Sequence, residues 1–271
     1  MKKILVPTDF SHVAQNAFNY AIEVASKLEC ELLLYHAYEN NNKSGSKWGS
    51  FNNGQDQIEH LEEQMNSLKE KYEKILSNKG LSLQTKVVER PVSSLFENIV
   101  GEYAADLIIM GSKGASGWEK MIFGSVATQA LDEAKVPVIV VPPNKPHLSL
   151  EKSLLALDLN HLDVNALTPF KELASITGTS VTVLNINNGK TNEEGLQQVK
   201  DFLKEIETTY TQEPLSKSIN QSINDIIDSN NYNLLCMIRR KKGFWDSLFE
   251  KSVTNIQLNS SQVPLMVLPE N

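Results

Sequence analysis

The sequence predicts an α/β protein with two similar halves, each a mostly parallel sheet with helices on both faces. Short apolar runs alternate with amphipathic helical patterns between residues 4 and 141, as in strands joined by right-handed helical crossovers. Near the ends of the two halves, VPVIVVP at 136–142 returns as VPLMVLP at 263–269. Near their starts, QNAFNYAIEVASKL at 15–28 aligns with VNALTPFKELASIT at 164–177. These two repeats predict a duplicated domain.

The segment PPNKPHLSL at 142–150 marks the expected boundary between the copies. Its closely spaced prolines cannot continue a helix or an inner strand and favour a stiff, extended connector. We therefore predict a first domain at 1–142, a linker at 143–150 and a second domain at 151–271.

The first half is predicted to begin with a buried strand at Ile4–Val6, which Pro7 ends. Ser11 is the expected N-cap of a helix with apolar residues at helical spacing. A strand at Leu32–Tyr35 follows. The next helix is long, and its apolar face is predicted to contain Ile58, Leu61, Met65, Leu68, Tyr72 and Ile75.

The rest of the first half continues the alternation. The elements predicted are a strand at 81–87, a helix at Leu95–Tyr103, a strand at Leu107–Met110, a helix from Ser125 and a closing strand at Val136–Val141. Ligands of such sheets bind outside the carboxyl ends of the strands. Candidate site residues are therefore those that follow strands, in the segments 7–9, 36–37 and 111–114.

Three glycines indicate a phosphate site. Gly111 and Gly114 follow the end of a strand, and Gly124 precedes Ser125 at the start of a helix. Glycine lets backbone N–H groups approach an anion closely, and a helix N-terminus favours negative charge. Lys113 either contacts the phosphates or is a solvated loop lysine. The alternative for the whole segment is a loop that only turns the chain.

The pattern Gly111-x2-Gly114-x9-Gly124-Ser125 resembles the nucleotide motif of the universal stress protein family. The opening VPTDFS and the closing VPVIVVP are also similar to that family, over residues 1–142 and more weakly over 151–269. The resemblance implies two Rossmann-like domains, each with a five-stranded parallel sheet. It also implies bound ATP, with Mg²⁺ as the expected counter-ion, and an internal pseudo-dimer formed through the last strand of each domain.

The resemblance also implies a role for each site residue. The adenine and ribose side would comprise Pro7, Thr8, Asp9, Ala37, Met110 and Gly111. The phosphate side would comprise Gly114, Gly124, Ser125 and Val126, and the charge of Lys113 makes it a further candidate there. Two alternatives stay open: Asp9 is a cap of the helix near Ser11, and Trp48, in a polar loop, packs on the surface rather than over the nucleotide.

The second half departs from this pattern. When Trp118 is aligned with Trp245, and one residue is taken as deleted before Trp245, four positions correspond: Gly111 with Arg239, Gly114 with Lys242, Gly124 with Lys251 and Ser125 with Ser252. Asp158 keeps the place of Asp9. We predict that this half does not bind ATP, and that the basic run at 239–242 is a solvated loop or an anion site. Pro169 should kink or delay the first helix here.

Composition narrows the function classes. A formal net charge of −7 argues against broad binding to nucleic acid or an anionic membrane. No apolar stretch approaches the roughly 20 residues of a membrane span, and the first ten residues do not form a signal peptide. Cys30 and Cys236 lack zinc-like or disulfide-framework spacing. The sequence therefore favours a soluble, cytoplasmic protein.

The function that the sequence favours is an ATP-binding regulatory or stress-response module with an unidentified protein partner. The Walker A pattern is absent from the sequence, and no catalytic or metal-ligating residue is assigned. Two alternatives remain open, an interaction protein that binds no nucleotide and a slow ATP hydrolase of the same fold. Assembly of two chains into a homodimer is a further open question.

Overall fold

The computed structural model describes residues 1–39, 54–91, 96, 101–113, 123–143, 150–185, 192–212, 219–239 and 263–270. Several residues of the sequence predictions lie outside these ranges: Trp48, Gly114, Trp118, the basic residues 240–242, Trp245, Lys251 and Ser252.

Within the described residues, the strands of both halves form one continuous sheet in the order β3-β2-β1-β4-β5-β10-β9-β6-β7-β8. The strands of the first half are β1 (Lys3–Pro7), β2 (Glu31–Tyr38), β3 (Leu83–Glu89), β4 (Leu107–Gly111) and β5 (Val138–Val141). Those of the second half are β6 (Lys152–Leu157), β7 (Ser180–Asn185), β8 (Thr208–Gln212), β9 (Leu234–Ile238) and β10 (Leu265–Leu268).

The helices pack on both faces of this sheet, as the alternating pattern predicts. They are α1 (His12–Leu28), α2 (Gly54–Asn78), α3 (Ser125–Glu133), α4 (Thr168–Thr177), α5 (Glu193–Phe202) and α6 (Ile219–Asn230). Phe96 and residues 101–103 are also helical. One buried cluster lies under α1, α2, α4 and α5, and the other lies under α3 and α6.

The two halves meet through their last strands, which confirms the expected pairing. Strands within each half are parallel, whereas β5 and β10 are antiparallel, with Ile139 opposite Met266. Both of these side chains are fully buried. Apolar edge strands favour pairing with another strand, and here each half covers the edge of the other.

Contacts beyond the strands also join the halves. The N-terminal ammonium group pairs with the carboxylate of Glu172 in α4. The side-chain amide of Asn16 in α1 donates a hydrogen bond to the carbonyl of Pro143, at 2.5 Å. The seam therefore involves helices and the connector as well as β5 and β10.

Three element predictions need correction, and the first is the strand expected at 81–87, which spans Leu83–Glu89. On α2, Ile75 is 44% exposed and Leu76 is 4% exposed, because the buried face follows a 3.6-residue period through Tyr72 to Leu76. The closing strand begins at Val138 rather than Val136, after Pro137, which has no N–H to pair. The predicted delay at Pro169 is confirmed: two 3-10 turns precede α4, which holds Pro169 in its first turn.

The structure also corrects the alignment of the two halves. Gly111 pairs with Val141, and Ile238 pairs with Leu268, so Ile238 is the counterpart of Gly111. Arg239 corresponds to Ser112, because each donates its backbone N–H to the carbonyl of the strand beside it. The predicted equivalence of Gly111 with Arg239 is therefore wrong by one position. No deletion is needed before Trp245, and by the same count Gly114 corresponds to Lys241 rather than Lys242.

Candidate functional site at the switch point of the first half

The order of strands in the sheet places two of the predicted site segments, those that follow β1 and β4, side by side. Strand β1 lies between β2 and β4, so the chain leaves β1 in one direction and later returns on its other side. A crevice forms outside the strand ends at such a switch point. Pro7 ends β1 and Gly111 ends β4, which brings segments 7–9 and 110–113 to neighbouring positions.

The turn after β1 is held by its own hydrogen bonds. The buried Thr8 donates its backbone N–H to the carbonyl of Tyr35, at 2.8 Å. Its hydroxyl oxygen accepts from the N–H of Phe10, at 3.0 Å. The carboxylate of Asp9 accepts from the N–H of Ser11, at 3.1 Å. These bonds fix the approach of the chain to α1.

The N-cap of α1 is Ser11, as predicted, and not Asp9. The Ser11 hydroxyl accepts from the N–H of Ala14, at 3.2 Å. Asp9 instead stabilises the preceding turn, and Asp158 makes the same contact with the N–H of Asn160, at 3.0 Å. An aspartate-stabilised turn is therefore present in both halves, and the presence of Asp9 alone does not identify a ligand site.

His36 lies in the candidate segment 36–37, but the sequence reasoning gave it no role of its own. Its Nδ1 atom lies 2.7 Å from the carbonyl oxygen of Thr8, a contact in which Nδ1–H is the donor. Its ring centroid lies 4.7 Å from that of Phe10. Burial lowers the pKa of His36, and the Thr8 carbonyl and Asp9 partly offset that shift. The only sequence signal was its position near the end of a predicted strand.

Ala37 lies on the other face of the sheet from His36. Strand β2 continues to Tyr38, two residues past His36, and successive side chains of a strand point to opposite faces. Ala37 packs against the cluster under α3, whereas Phe10, beside His36, packs against the cluster under α1. Of the two residues, Ala37 therefore shares the face on which α3 lies.

Gly111 allows close packing between β4 and α1. A Cβ atom at this position would lie 2.8 Å from Cγ1 of Val13 and 3.1 Å from the Val13 carbonyl oxygen. Met110 beside it is buried, and Lys113 is half-buried. The absent side chain of Gly111 thus has a packing role that does not depend on any ligand.

The start of α3 is tied directly to the end of β4. Gly124 is the N-cap residue of α3 and has no side chain to accept a hydrogen bond from the first helical N–H groups. Its own N–H donates to the carbonyl of Ser112, at 2.7 Å. An anion at this helix start would therefore accept hydrogen bonds from the backbone N–H groups of the residues after Gly124, because those groups have no acceptor within the helix. Ser125 is exposed here and Val126 is half-buried.

A cleft opens on the α2 side of Phe10. It has a volume of about 440 Å³ and is lined by Phe10, Gln15, His60, Glu63, Gln64, Ser67, Leu68 and Lys71. Gly111 and Gly124, the motif glycines that the structure describes, are not part of this lining, so this cleft and the end of β4 are separate features.

The described part of the chain offers few groups for metal binding or nucleophilic catalysis. There, no three His, Cys, Asp or Glu side chains form a group that could hold a metal ion. Cys30 and Cys236 are buried and free, and burial raises the pKa of Cys30 to about 11 and also raises the pKa of Cys236. Such thiols are poor nucleophiles. Among the described helices, none is both long and apolar enough to cross a membrane.

The comparisons with known proteins identify the family. The model of the universal stress protein family matches residues 1–142, and the chain belongs to that family. A universal stress protein of Methanocaldococcus jannaschii is 28% identical over 148 residues, which cover 53% of this chain and 84% of the relative.

Solved structures agree on the fold of the whole chain. A universal stress protein of Archaeoglobus fulgidus has a TM-score of 0.72 at 18% identity, and the match covers 99% of this chain and 96% of that one. Another universal stress protein was solved as a complex with cAMP. It matches 53% of this chain at 18% identity with a TM-score of 0.39, and its ligand is a property of that protein.

Proposed function

We propose that the first half binds ATP at the switch point between β1 and β4, and that nucleotide occupancy regulates the response of the protein to stress. The observation that carries this proposal is the start of α3. Its N-cap is a glycine without a side-chain cap, and it is bonded to Ser112 beside the end of β4. A helix start with N–H donors and no capping side chain favours a phosphate group.

The proposed contacts follow the family motif. The N–H groups of Ser125 and Val126 and the Ser125 hydroxyl bind the phosphates, together with Lys113 and Gly114, which follow β4 in the sequence. Asp9, Pro7 and Thr8 lie on the adenine and ribose side with Ala37, Met110 and Gly111. Mg²⁺ neutralises part of the phosphate charge, with the phosphate oxygens as its main ligands. No catalytic residue is part of this proposal.

We further propose that the chain is a tandem duplication with domain limits at 1–142 and 151–271, that it acts in the cytoplasm, and that the second half binds no ATP. In that half Ile238 stands where Gly111 stands in the first. Ile238 packs against the buried cluster that lies under α1, α2, α4 and α5. The second half thus has an apolar side chain where the first half has a glycine.

The direct test is to purify the protein, denature it by heat and identify any released small molecule by mass. Calorimetric titration with Mg-ATP and a melting curve at millimolar ATP complete it. We expect saturable binding and a raised melting temperature, because a ligand that binds only the folded state stabilises it. No released nucleotide, no heat and no thermal shift together would exclude ATP as the ligand.

A further inference from the structure

The side chain of Arg239 crosses the seam between the two halves. Arg239 follows β9 in the second half, and its guanidinium group lies at the C-terminal end of α3 in the first half. Its Nη1 atom donates to the carbonyl of Leu131 at 3.0 Å, and its Nη2 atom donates to the carbonyl of Ala134 at 2.8 Å. From the sequence alone, this arginine is expected to lie in a solvated loop or to bind an anion. In the structure it instead donates to these two carbonyls.

The antiparallel seam explains why Arg239 can reach α3. Because β5 and β10 run in opposite directions, the carboxyl end of β10 lies beside the amino end of β5, with Val267 opposite Val138. The N–H of Arg239 donates to the carbonyl of Leu268 at 2.8 Å, which places the residue at that edge. Helix α3 ends at Glu133, just before β5 begins.

The last turn of α3 is negatively charged, and the nearest lysine in the sequence, Lys135, lies beyond the end of the helix. No basic residue lies in its last turn, whereas Asp132 and Glu133 do, and two carboxylates are unfavourable at the negative end of a helix dipole. Arg239 supplies a positive charge and two donors to carbonyls that have no intrahelical partner. The guanidinium is half-buried, and that burial lowers its pKa while Asp132 raises it; an arginine nevertheless stays charged.

Among the described residues, the position that matches Arg239 in the first half has a different role. The counterpart of Arg239 in the first half is Ser112, a short, buried residue whose carbonyl accepts the N–H of Gly124. Ser112 therefore serves the start of α3, and Arg239 holds its end. The helix has nine residues and is roughly 13 Å long, so a tilt at one end displaces the other.

We propose that Arg239 is a positioning residue. It fixes the C-terminal end of α3 against the second half, and it thereby holds the N-terminal end of the same helix in place at the phosphate site. The effect on the phosphate site rests on the proposed ATP function, whereas the bracing of α3 does not. The second half thus contributes to a ligand site in the first half without touching the ligand.

The test compares full-length Arg239→Met, Arg239→Lys and Lys171→Met with the wild type. Methionine keeps an unbranched apolar side chain and removes the donors, and lysine keeps the charge without the planar pair of donors. Lys171 is the matched control, because it pairs with Glu205 within the second half. The two measurements are hydrogen exchange of the α3 amides without nucleotide and the dissociation constant of Mg-ATP.

We expect faster exchange across α3 in Arg239→Met and a dissociation constant raised at least about fivefold, the low end of typical coupling between sites. Arg239→Lys should recover part of both effects, and Lys171→Met should match the wild type. If Arg239 only caps the helix, Arg239→Met would speed exchange at the end of α3 and leave the ATP affinity unchanged. That result would overturn the positioning role. Unchanged exchange would overturn the contact itself.

Two further outcomes remain decisive. If Arg239→Met does not fold, Arg239→Lys carries the test, since wild-type exchange and affinity in that variant would refute the proposal. If the wild type binds no ATP but Arg239→Met speeds exchange across all of α3, the ATP function fails and the bracing of α3 stands.

Discussion

At the scale of single residues, the proposed site depends on which groups are already bonded within the protein. The N–H of Gly124 is donated to Ser112, and the Asp9 carboxylate stabilises its own turn. The donors that a phosphate can use are then those of the residues after Gly124. A substitution at Gly124 therefore tests access to these donors.

Gly124→Val should remove most of the ATP affinity and leave the fold intact. Gly124 has a φ of −70° and a ψ of 163°, an extended conformation that valine adopts readily, so backbone strain is not expected. The branched side chain would instead occupy the approach to the helix start. Calorimetric titration and circular dichroism measure the two effects.

The matched control for Gly124→Val is Thr128→Val, one turn further along α3. Thr128 is exposed, and its hydroxyl donates to the carbonyl of Gly124 at 3.1 Å, so this variant adds no bulk at the helix start. It should bind ATP like the wild type. If folded Gly124→Val also binds like the wild type, the phosphates lie elsewhere.

His36→Asn should reduce the dependence of stability on pH. Burial lowers the pKa of His36 in the folded state, so below about pH 6.5, the ordinary pKa of histidine, the unfolded state binds more protons. The stabilisation is present above that pH and is lost as the pH falls through the lower pKa of the folded state. Asparagine keeps a donor for the Thr8 carbonyl and does not titrate.

Urea denaturation at pH 7.5 and 5.5 measures this effect. The free energy of unfolding should fall more steeply with decreasing pH in the wild type than in His36→Asn. His12→Asn, at an exposed position that starts α1, should follow the wild type. Equal slopes for wild type and His36→Asn would show that His36 does not titrate in this range.

At the scale of elements, the approach of α1 to β4 distinguishes the two halves. In the first half Gly111 lets Val13 pack closely, and α1 is a regular helix from His12. In the second half Ile238 takes the glycine position, and two 3-10 turns precede α4. The added side chain and the delayed helix start are consistent with each other, since a bulky residue prevents the close approach.

Gly111→Ala should lower the free energy of unfolding by about 1–3 kcal/mol, the usual cost of overpacking a core. The added Cβ would meet Cγ1 of Val13 at 2.8 Å and its carbonyl oxygen at 3.1 Å. Gly111→Ala combined with Val13→Ala should recover only part of the loss, because the carbonyl remains. Thermal and urea denaturation measure both variants.

Gly101→Ala is the matched control for this change. Gly101 is helical, and a Cβ atom there has no atom within 4 Å, so alanine should stabilise the protein slightly through its helix propensity. If Gly111→Ala were as stable as Gly101→Ala, the close packing of Val13 would not constrain this position.

The sequence predicted the elements and the strand pairing at the seam because these depend on local periodicity and on apolar edges. It placed the helix cap at Ser11 and the late start of α4 at Pro169 correctly, since both follow from the chemistry of one residue. It misaligned Gly111 with Arg239, because register becomes visible only through partners such as Val141 and Leu268. The contacts of His36 and Arg239 join distant segments and have no local signal.

At the scale of the whole molecule, the antiparallel seam makes one sheet from two halves with different tasks. Within the described residues, buried side chains from both sides of the seam, such as Ile139 and Met266, belong to one cluster. Stability and geometry are therefore shared between the halves. The proposed division of labour is that the first half holds the nucleotide and the second supports it.

The last prediction is that the full chain binds one ATP and not two. Ile238 occupies the position of Gly111, and in the sequence Lys241 and Lys251 stand at the positions of the other two glycines of the motif. Lysine charge could favour phosphate. However, a flexible lysine offers a point charge without the fixed geometry of several backbone donors, and binding must remove its rotamer entropy.

Equilibrium dialysis against Mg-ATP at low and at physiological salt measures this stoichiometry. We expect one nucleotide per chain at both salt concentrations in the wild type and far less than one in Gly124→Val, because the valine side chain would block the helix start of the proposed site. A surface-charge interaction at the basic run would disappear at physiological salt, since ions screen exposed charges beyond about 8 Å. Two salt-resistant nucleotides in the wild type, or one left in Gly124→Val, would mean that the second half has a site of its own.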